Sequence, residues 1–377
     1  TSSYSLTGVQ TCALPISRFG DGKVDFHYAK FGDGDINFER TDFGNGKVDF
    51  RMVEFHNGRV NFNRSVFGNG EISFEGAELK NGKFNMKKAE IASGPLIFDL
   101  LEFEDSDLFL EKTMFGNGNT TFYNAKINKL SLLGCNLDKY VDLRVNRCNY
   151  LDLSDTIVRD IIDFKPFDFD VNIRVLNMKG MRLLGTIYID WETNRLKEII
   201  YNQGDETTFQ SKSDQFLMMK NCFNNIGQYE QGDKAYVEYM RCDSKSRVYD
   251  AHHQKSSLFL RKCVYWLKWL TIDQAGYYAT SPVRVLLAVG AVYILFSFSY
   301  VLLYFISDSD VISTIGEPHR MGLIARSFYH SAITFLTIGY GDHVPLGWAR
   351  VFSALEGFSG VFLMSYFTVS LVRKILK

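Results

Sequence analysis

The chain has 377 residues, a formal net charge of −1, 46% hydrophobic and 23% charged residues, and 32 Phe and 30 Gly. That length admits two or three domains, and the near-zero charge excludes a chain built chiefly to neutralise nucleic-acid phosphates. Cys12, Cys135, Cys148, Cys222, Cys242 and Cys263 form neither a Cys-x-x-Cys pair nor a Cys/His ligand cluster, so the thiols are expected to be reduced and packed.

Residues 1–16 are set apart. Gly8 to Ile16 resembles the translation of a sequencing adapter, and the basic region and long apolar core of a signal peptide are missing. Residues 1–16 are expected to be an artefact that replaces the true N terminus.

Residues 17–190 read as a repeat array. A large apolar residue recurs every twelve positions at Phe19, Phe31, Phe43, Phe55, Phe67, Leu79 and Ile91, and again at Phe26, Phe38, Phe50, Phe62 and Phe74. A glycine ladder runs Gly22, Gly34, Gly46, Gly58, Gly70, Gly82 and Gly94, broken at Ser106. Fixed self-similarity over this length means stacked units. A small or β-branched residue stands two before the large one, as in Val24/Phe26 and Ala29/Phe31. This pattern resembles the pentapeptide repeat, which implies a right-handed β-solenoid. Two pentapeptides account for ten residues, so the twelve-residue unit makes two faces of a square coil. The other two residues fall in a corner such as Gly44-Asn45-Gly46, where positive φ is expected. After Phe122 the spacing shortens through Leu132, Leu143 and Leu153, and the array fades between Val171 and Trp191. Gly32 to Asp35 is similar to calcium-binding nonapeptides, but the period differs. The mixed surface charge of residues 17–126 argues against mimicry of nucleic acid.

Residues 191–282 form a helical connector and a membrane approach. Apolar spacing predicts a helix through Phe216–Ile226 with Gly227 at its C terminus, then a second over about 234–257. Its stripe of Tyr236, Tyr239 and Tyr249 is expected to pack on the solenoid end or a neighbouring subunit, and His252 and His253 are expected to be solvated. Leu258 to Leu270 is apolar on one side, basic on the other and Trp-rich, which suits a helix lying in a bilayer interface.

Residues 283–377 hold two apolar spans. Val285–Ile306 has no charge, and Val351–Val372 has only Glu356, an ionisable group whose intramembrane place makes it a functional candidate. Glu356 is expected either to face the back of the loop between the spans or to pair with a polar neighbour. Lys and Arg flank the first span on its N-terminal side and the second on its C-terminal side, while the loop between them carries Asp308, Asp310 and Glu317. Both ends are therefore expected on the cytoplasmic side. No row of spaced arginines suggests a voltage sensor, and with nothing after Lys377 regulation is expected from the N-terminal side.

Between the spans, a short helix over Arg326–Leu336 is expected to lead into Thr337-Ile338-Gly339-Tyr340-Gly341-Asp342. Consecutive carbonyls can face one dehydrated cation only with unusual dihedrals, which Gly339 and Gly341 adopt without a Cβ clash. The motif and its setting resemble the bacterial two-transmembrane potassium channels. The resemblance implies a filter that holds K⁺ at Thr337, Ile338, Gly339 and Tyr340, with Gly341 completing it. Ile338 and Tyr340 would brace the loop from behind. Asp342 would close the outer mouth with support from Tyr329, at a position where Trp is usual. Ile333 stands where some members carry a buried Glu. Gly360 aligns with a hinge glycine and Gly357 competes for that role; close helix packing is the alternative for both. The interfacial segment would couple the cytoplasmic part to the pore or simply anchor it.

The expected architecture is mixed: an N-terminal β-solenoid (17–190), a helical connector (191–282) and an all-α pore domain with a re-entrant helix (283–377). The expected activity is passive K⁺ conduction by a homotetramer in a bacterial inner membrane. K⁺ is the permeant ion; no cofactor, catalysis or nucleic-acid partner is implied, and a ligand or partner of the solenoid is left open. A non-selective cation channel and a membrane-tethered scaffold are the rival readings.

Overall fold

The computed structural model describes residues 17–204, 207–249, 258–314 and 321–376. The adapter-like segment, Cys12, His252 and His253 lie outside the described residues. Two compact units divide between residues 250 and 251.

In the first unit, short parallel strands stack in register. Val24–Asp25 pairs with Val48–Asp49, then Ile72–Ser73 and Leu96–Ile97. A second sheet stacks Ile36–Asn37, Arg59–Asn61 and Lys83–Asn85. Bridges Arg18↔Asp42↔Val66 and Lys30↔Glu54↔Glu78 supply two more faces. Each strand meets the one two repeat units further along, so the twelve-residue unit is half of a four-faced coil. From Thr120 the coil is shorter, with Thr120 paired to Val141 and Asn136 to Ile157.

A ladder that is single in sequence becomes two columns in space. Phe26, Phe50, Phe74, Phe98 and Phe122 stack at ring separations of 4.8, 5.1, 5.2 and 5.1 Å with planes 9–11° apart. Phe38 and Phe62, from the same ladder, stack in a second column 4.9 Å apart, and Phe43 and Phe67 of the other ladder stack at 4.6 Å. In-register parallel strands lie ~4.8 Å apart, close to the distance at which rings stack. Lys30–Glu54, Lys47–Glu71 and Lys87–Glu111 join neighbouring coils on the surface at 2.6, 2.7 and 3.0 Å.

The glycine corners differ from expectation. Gly20 and Gly44 have the expected positive φ, at +74° and +65°, but Gly46, Gly58, Gly70, Gly94 and Gly118 do not. A Cβ on any of the latter would run into the carbonyl of the corner one coil earlier, for example Gly70 into Gly46. Close approach of backbones selects glycine there. Positive φ instead falls in the other corner, on Tyr28, Arg40, Met52, Arg64, Lys88, Leu100, Lys112 and Asn124.

The last coil passes into three helices: α1 (Leu196–Tyr201), α2 (Phe209–Asn225) and α3 (Tyr229–Tyr249). Thr208 caps α2 by accepting the Ser211 amide, and Gly227 at φ +77° ends it. Leu196, Ile199, Ile200, Phe216, Met219, Phe223 and Ala235 are continuous with the solenoid core. Side chains of these helices also satisfy main-chain donors at the solenoid end. Met178 donates to Gln215 Oε1 at 3.1 Å and Trp191 to Gln231 Oε1 at 3.0 Å. The helices thus cover the end that a bare stack would leave open. The tyrosine stripe is divided: Tyr239 packs on this core, whereas Tyr249 is exposed against Phe209.

The second unit contains α4 (Leu258–Lys268), a π-helical stretch Trp269–Gln274, α5 (Pro282–Ser307), α6 (Leu323–Phe335) and α7 (Ala349–Ile375). Ser281 caps α5 and Pro282 occupies its first turn. Both α5 and α7 are long and apolar enough to cross a membrane. On α4, Phe259, Leu260, Val264, Trp266 and Leu267 are exposed. Four of the described cysteines are buried, but Cys263 on α4 is exposed, against the expectation that all would be packed.

Candidate ion-conduction site

Helix α6 starts at Leu323, three residues before its expected start, and points its C terminus into the 337–342 loop. The main chain there alternates: Thr337, Gly339 and Gly341 have φ of +55°, +59° and +77°, while Ile338 and Tyr340 do not have positive φ. An extended strand turns successive carbonyls to opposite sides. Inverting every second residue cancels that alternation and lets carbonyls share one side. Thr337 adopts the same inversion as the glycines despite its Cβ.

The loop is fixed at both ends. The Ile333 carbonyl, at the position lacking a buried Glu, accepts the amides of Ile338 (2.8 Å) and Gly339 (3.2 Å). The Thr337 hydroxyl donates to the Leu336 carbonyl at 2.7 Å. At the outer end the Asp342 carbonyl accepts the Thr314 amide at 2.9 Å, continuing an antiparallel pair of Val311–Ser313 with His343–Pro345. Arg326 on α6 pairs with Asp310 at 2.7 Å. The Tyr329 hydroxyl interacts with the Asp342 carboxylate, and its ring meets His343 edge-on at 5.0 Å. Within one chain Ile338 and Tyr340 are 47% and 70% exposed.

Residues 283–377 match the ion channel family. The second unit carries an ion channel domain. No curated relative matches the chain.

Within the channel domain, Glu356 is fully buried. It accepts hydrogen bonds from Tyr300 on α5 at 2.6 Å and from Ser331 on α6. Of the two expected settings, it takes polar pairing, with partners in its own chain. His330 and Ser353 extend this buried polar layer, 3.3 Å apart. Gly360 and Gly357 separate clearly. A Cβ on Gly360 would collide with the Phe335 carbonyl, whereas the nearest atoms to one on Gly357 belong to Thr334 at 4.0 Å. Gly360 therefore lets α7 touch the end of α6.

One feature of the second unit, just before the matched residues, had no sequence signal. Tyr277, Tyr278 and Ala279 form a left-handed run, with φ of 48°, 55° and 62°. Such residues are each strained by roughly 1–2 kcal/mol. The Tyr366 hydroxyl of α7 holds the run, donating to the Ile272 carbonyl at 2.8 Å and accepting the Ala279 amide at 2.7 Å. Gly276 admits the Tyr366 ring, since a Cβ there would lie 2.8 Å from it. The Arg284 guanidinium stacks on Tyr277 at 3.9 Å and donates to the Gln274 carbonyl. These contacts join the start of α5 to the cytoplasm-proximal half of α7 expected from charge.

Proposed function

We propose that the chain is a potassium-selective channel that conducts passively as a homotetramer. The alternating positive φ at Thr337, Gly339 and Gly341, directly after the α6 C terminus and between two membrane-length helices, carries this reading. Carbonyls of Thr337, Ile338, Gly339 and Tyr340 replace the water that K⁺ sheds, and Gly341 completes the loop. One loop supplies a quarter of the cage, so four chains surround the axis. Neighbouring subunits then cover Ile338 and Tyr340. Asp342 and Tyr329 support the outer mouth, and the α6 dipole favours a cation below it. Gly360 or Gly357 provides the bend of α7. Lys and Arg flanking α5 and α7 favour both ends, and hence the solenoid, in the cytoplasm; the bacterial inner membrane rests on the resemblance to bacterial two-transmembrane channels. No catalysis or cofactor enters the reading.

Purified protein in liposomes tests it. Flux should be carried by K⁺, and a bi-ionic reversal potential should favour K⁺ strongly over Na⁺. Equal permeability would assign a non-selective cation pore. Absence of flux from an assembled tetramer would assign a membrane-tethered scaffold. Gly339→Ala should remove K⁺ selectivity or conduction.

A further inference from the structure

The end of the solenoid breaks its own register. Val141 pairs with Ile162, but Ile162 pairs with Ile187, a longer step along the chain than the one before it. The additional length enters between Asp163, which keeps the shorter register, and Ile173, which pairs with Cys148 at the longer one. This segment swings outward, with Phe167 86% exposed and Phe169 packed edge-on against Tyr123 at 5.2 Å. Irregularities in a repeat array are where a binding face departs from the scaffold.

Beside the insertion a cleft of about 250 Å³ opens between strand residues 147–149, the segment 171–174 and α1. Arg147, Arg174 and Arg195 line it, each from a different wall, and Glu198 is the one carboxylate among its lining residues. Three arginines against one carboxylate give the lining a formal excess of two positive charges, and all three arginines are exposed where they border the cleft. No ion pair or side-chain hydrogen bond joins Arg174 or Arg195 to another described residue, and Arg147 meets Glu104 only at 4.0 Å. The walls are firm. Asn202 donates to the Arg174 carbonyl at 3.0 Å, Asn172 donates to the Asn146 carbonyl at 3.2 Å, and Arg195 is set at φ 49° by the turn into α1. Arg174 and Arg195 therefore bring to the cleft positive charge that no described side chain pairs with, which an anionic ligand can use.

We propose that this cleft binds a small anion bearing one or two phosphate groups. The planar forks of Arg174 and Arg195 match phosphate oxygens in pairs, and guanidinium sheds water more readily than ammonium. Arg147 closes the third side, and Glu198 excludes larger polyanions by repulsion. The phosphate comes either from a soluble metabolite or from a lipid headgroup, since the chemistry is the same.

Calorimetric titration of the full chain in detergent with inorganic pyrophosphate tests the proposal. Expected is saturable binding of one ligand per chain that weakens as salt rises. The double variant Arg174→Gln/Arg195→Gln should bind at least tenfold more weakly while its ligand-free melting temperature is unchanged. Arg182→Gln, an exposed arginine outside the cleft, should bind like the parent. If the double variant melts lower, the single variants Arg174→Gln and Arg195→Gln give the same reading. Competition by adenosine monophosphate points to a soluble ligand, and competition by short-chain phosphatidic acid to a headgroup. Absence of saturable binding, unchanged affinity in the cleft variants, or an equal loss in Arg182→Gln would overturn the site.

Discussion

Asp49 is a buried carboxylate whose worth can be read from its partners. Its oxygens accept from Arg51 Nε at 2.9 Å and Nη2 at 2.7 Å, and these bonds hold its pKa down at about 2. A carboxylate depressed from 3.8 to about 2 contributes about 2 kcal/mol at neutral pH. The contribution is complete above the unfolded pKa and is lost as pH falls from about 4 toward 2. Acid melts followed by circular dichroism should show the parent losing stability through that window and Asp49→Asn losing less. At the same scale, Gly360→Ala should lower the detergent melting temperature, because overpacking against the Phe335 carbonyl costs roughly 1–3 kcal/mol. Gly357→Ala should melt like the parent. An equal effect of both substitutions would show that the packing contact is not the difference between them. Burial also pushes the Cys135 and Cys148 thiols up to about 12, which keeps them protonated at neutral pH.

Between elements, the most informative contact is the one from α7 to the left-handed run before α5. Tyr366→Phe keeps the ring against Gly276 but deletes both hydrogen bonds, leaving the Ala279 amide without its acceptor. A buried unsatisfied donor costs roughly 1–3 kcal/mol. Hydrogen exchange read by mass spectrometry should therefore rise by about tenfold or more in peptides covering 272–281, with α6 unchanged. If exchange there is unaffected, Tyr366 does not hold the strained run. The amphipathic character of α4, the two spans and the helix before the loop were all legible from apolar spacing. The π-helical stretch and the left-handed run were not, because Tyr277, Tyr278 and Ala279 are residue types that give no sign of positive φ. The start of α2 at Phe209, seven residues before the expected Phe216, was hidden by its polar first turns.

For the whole molecule, the helices after the solenoid are part of its folding unit. Trp191, Leu196, Ile199, Phe216 and Phe223 share the core of the stacked coils. A repeat stack needs a terminal unit with a polar outer face. A fragment of residues 17–249 should be monomeric and melt cooperatively. One of residues 17–190 should aggregate, since the end of the stack loses its cover. Analytical ultracentrifugation of the two fragments decides the matter; a soluble, cooperative 17–190 would show that α1–α3 are dispensable.

Sequence alone determined the period, the buried columns, the two spans and the 337–342 motif. Each depends on which residue types recur at a fixed spacing, and burial periodicity is a local property. Tertiary structure alone decided that Glu356 meets Tyr300 and Ser331, and that Tyr366 reaches main-chain groups 87 and 94 residues away. It also decided that three arginines share one cleft, and that Gly46, Gly58, Gly70, Gly94 and Gly118 serve close coil stacking rather than positive φ. Contacts with backbone groups and between distant chain segments leave no periodic trace, since a carbonyl or amide is present at every residue and only the fold selects which one is met.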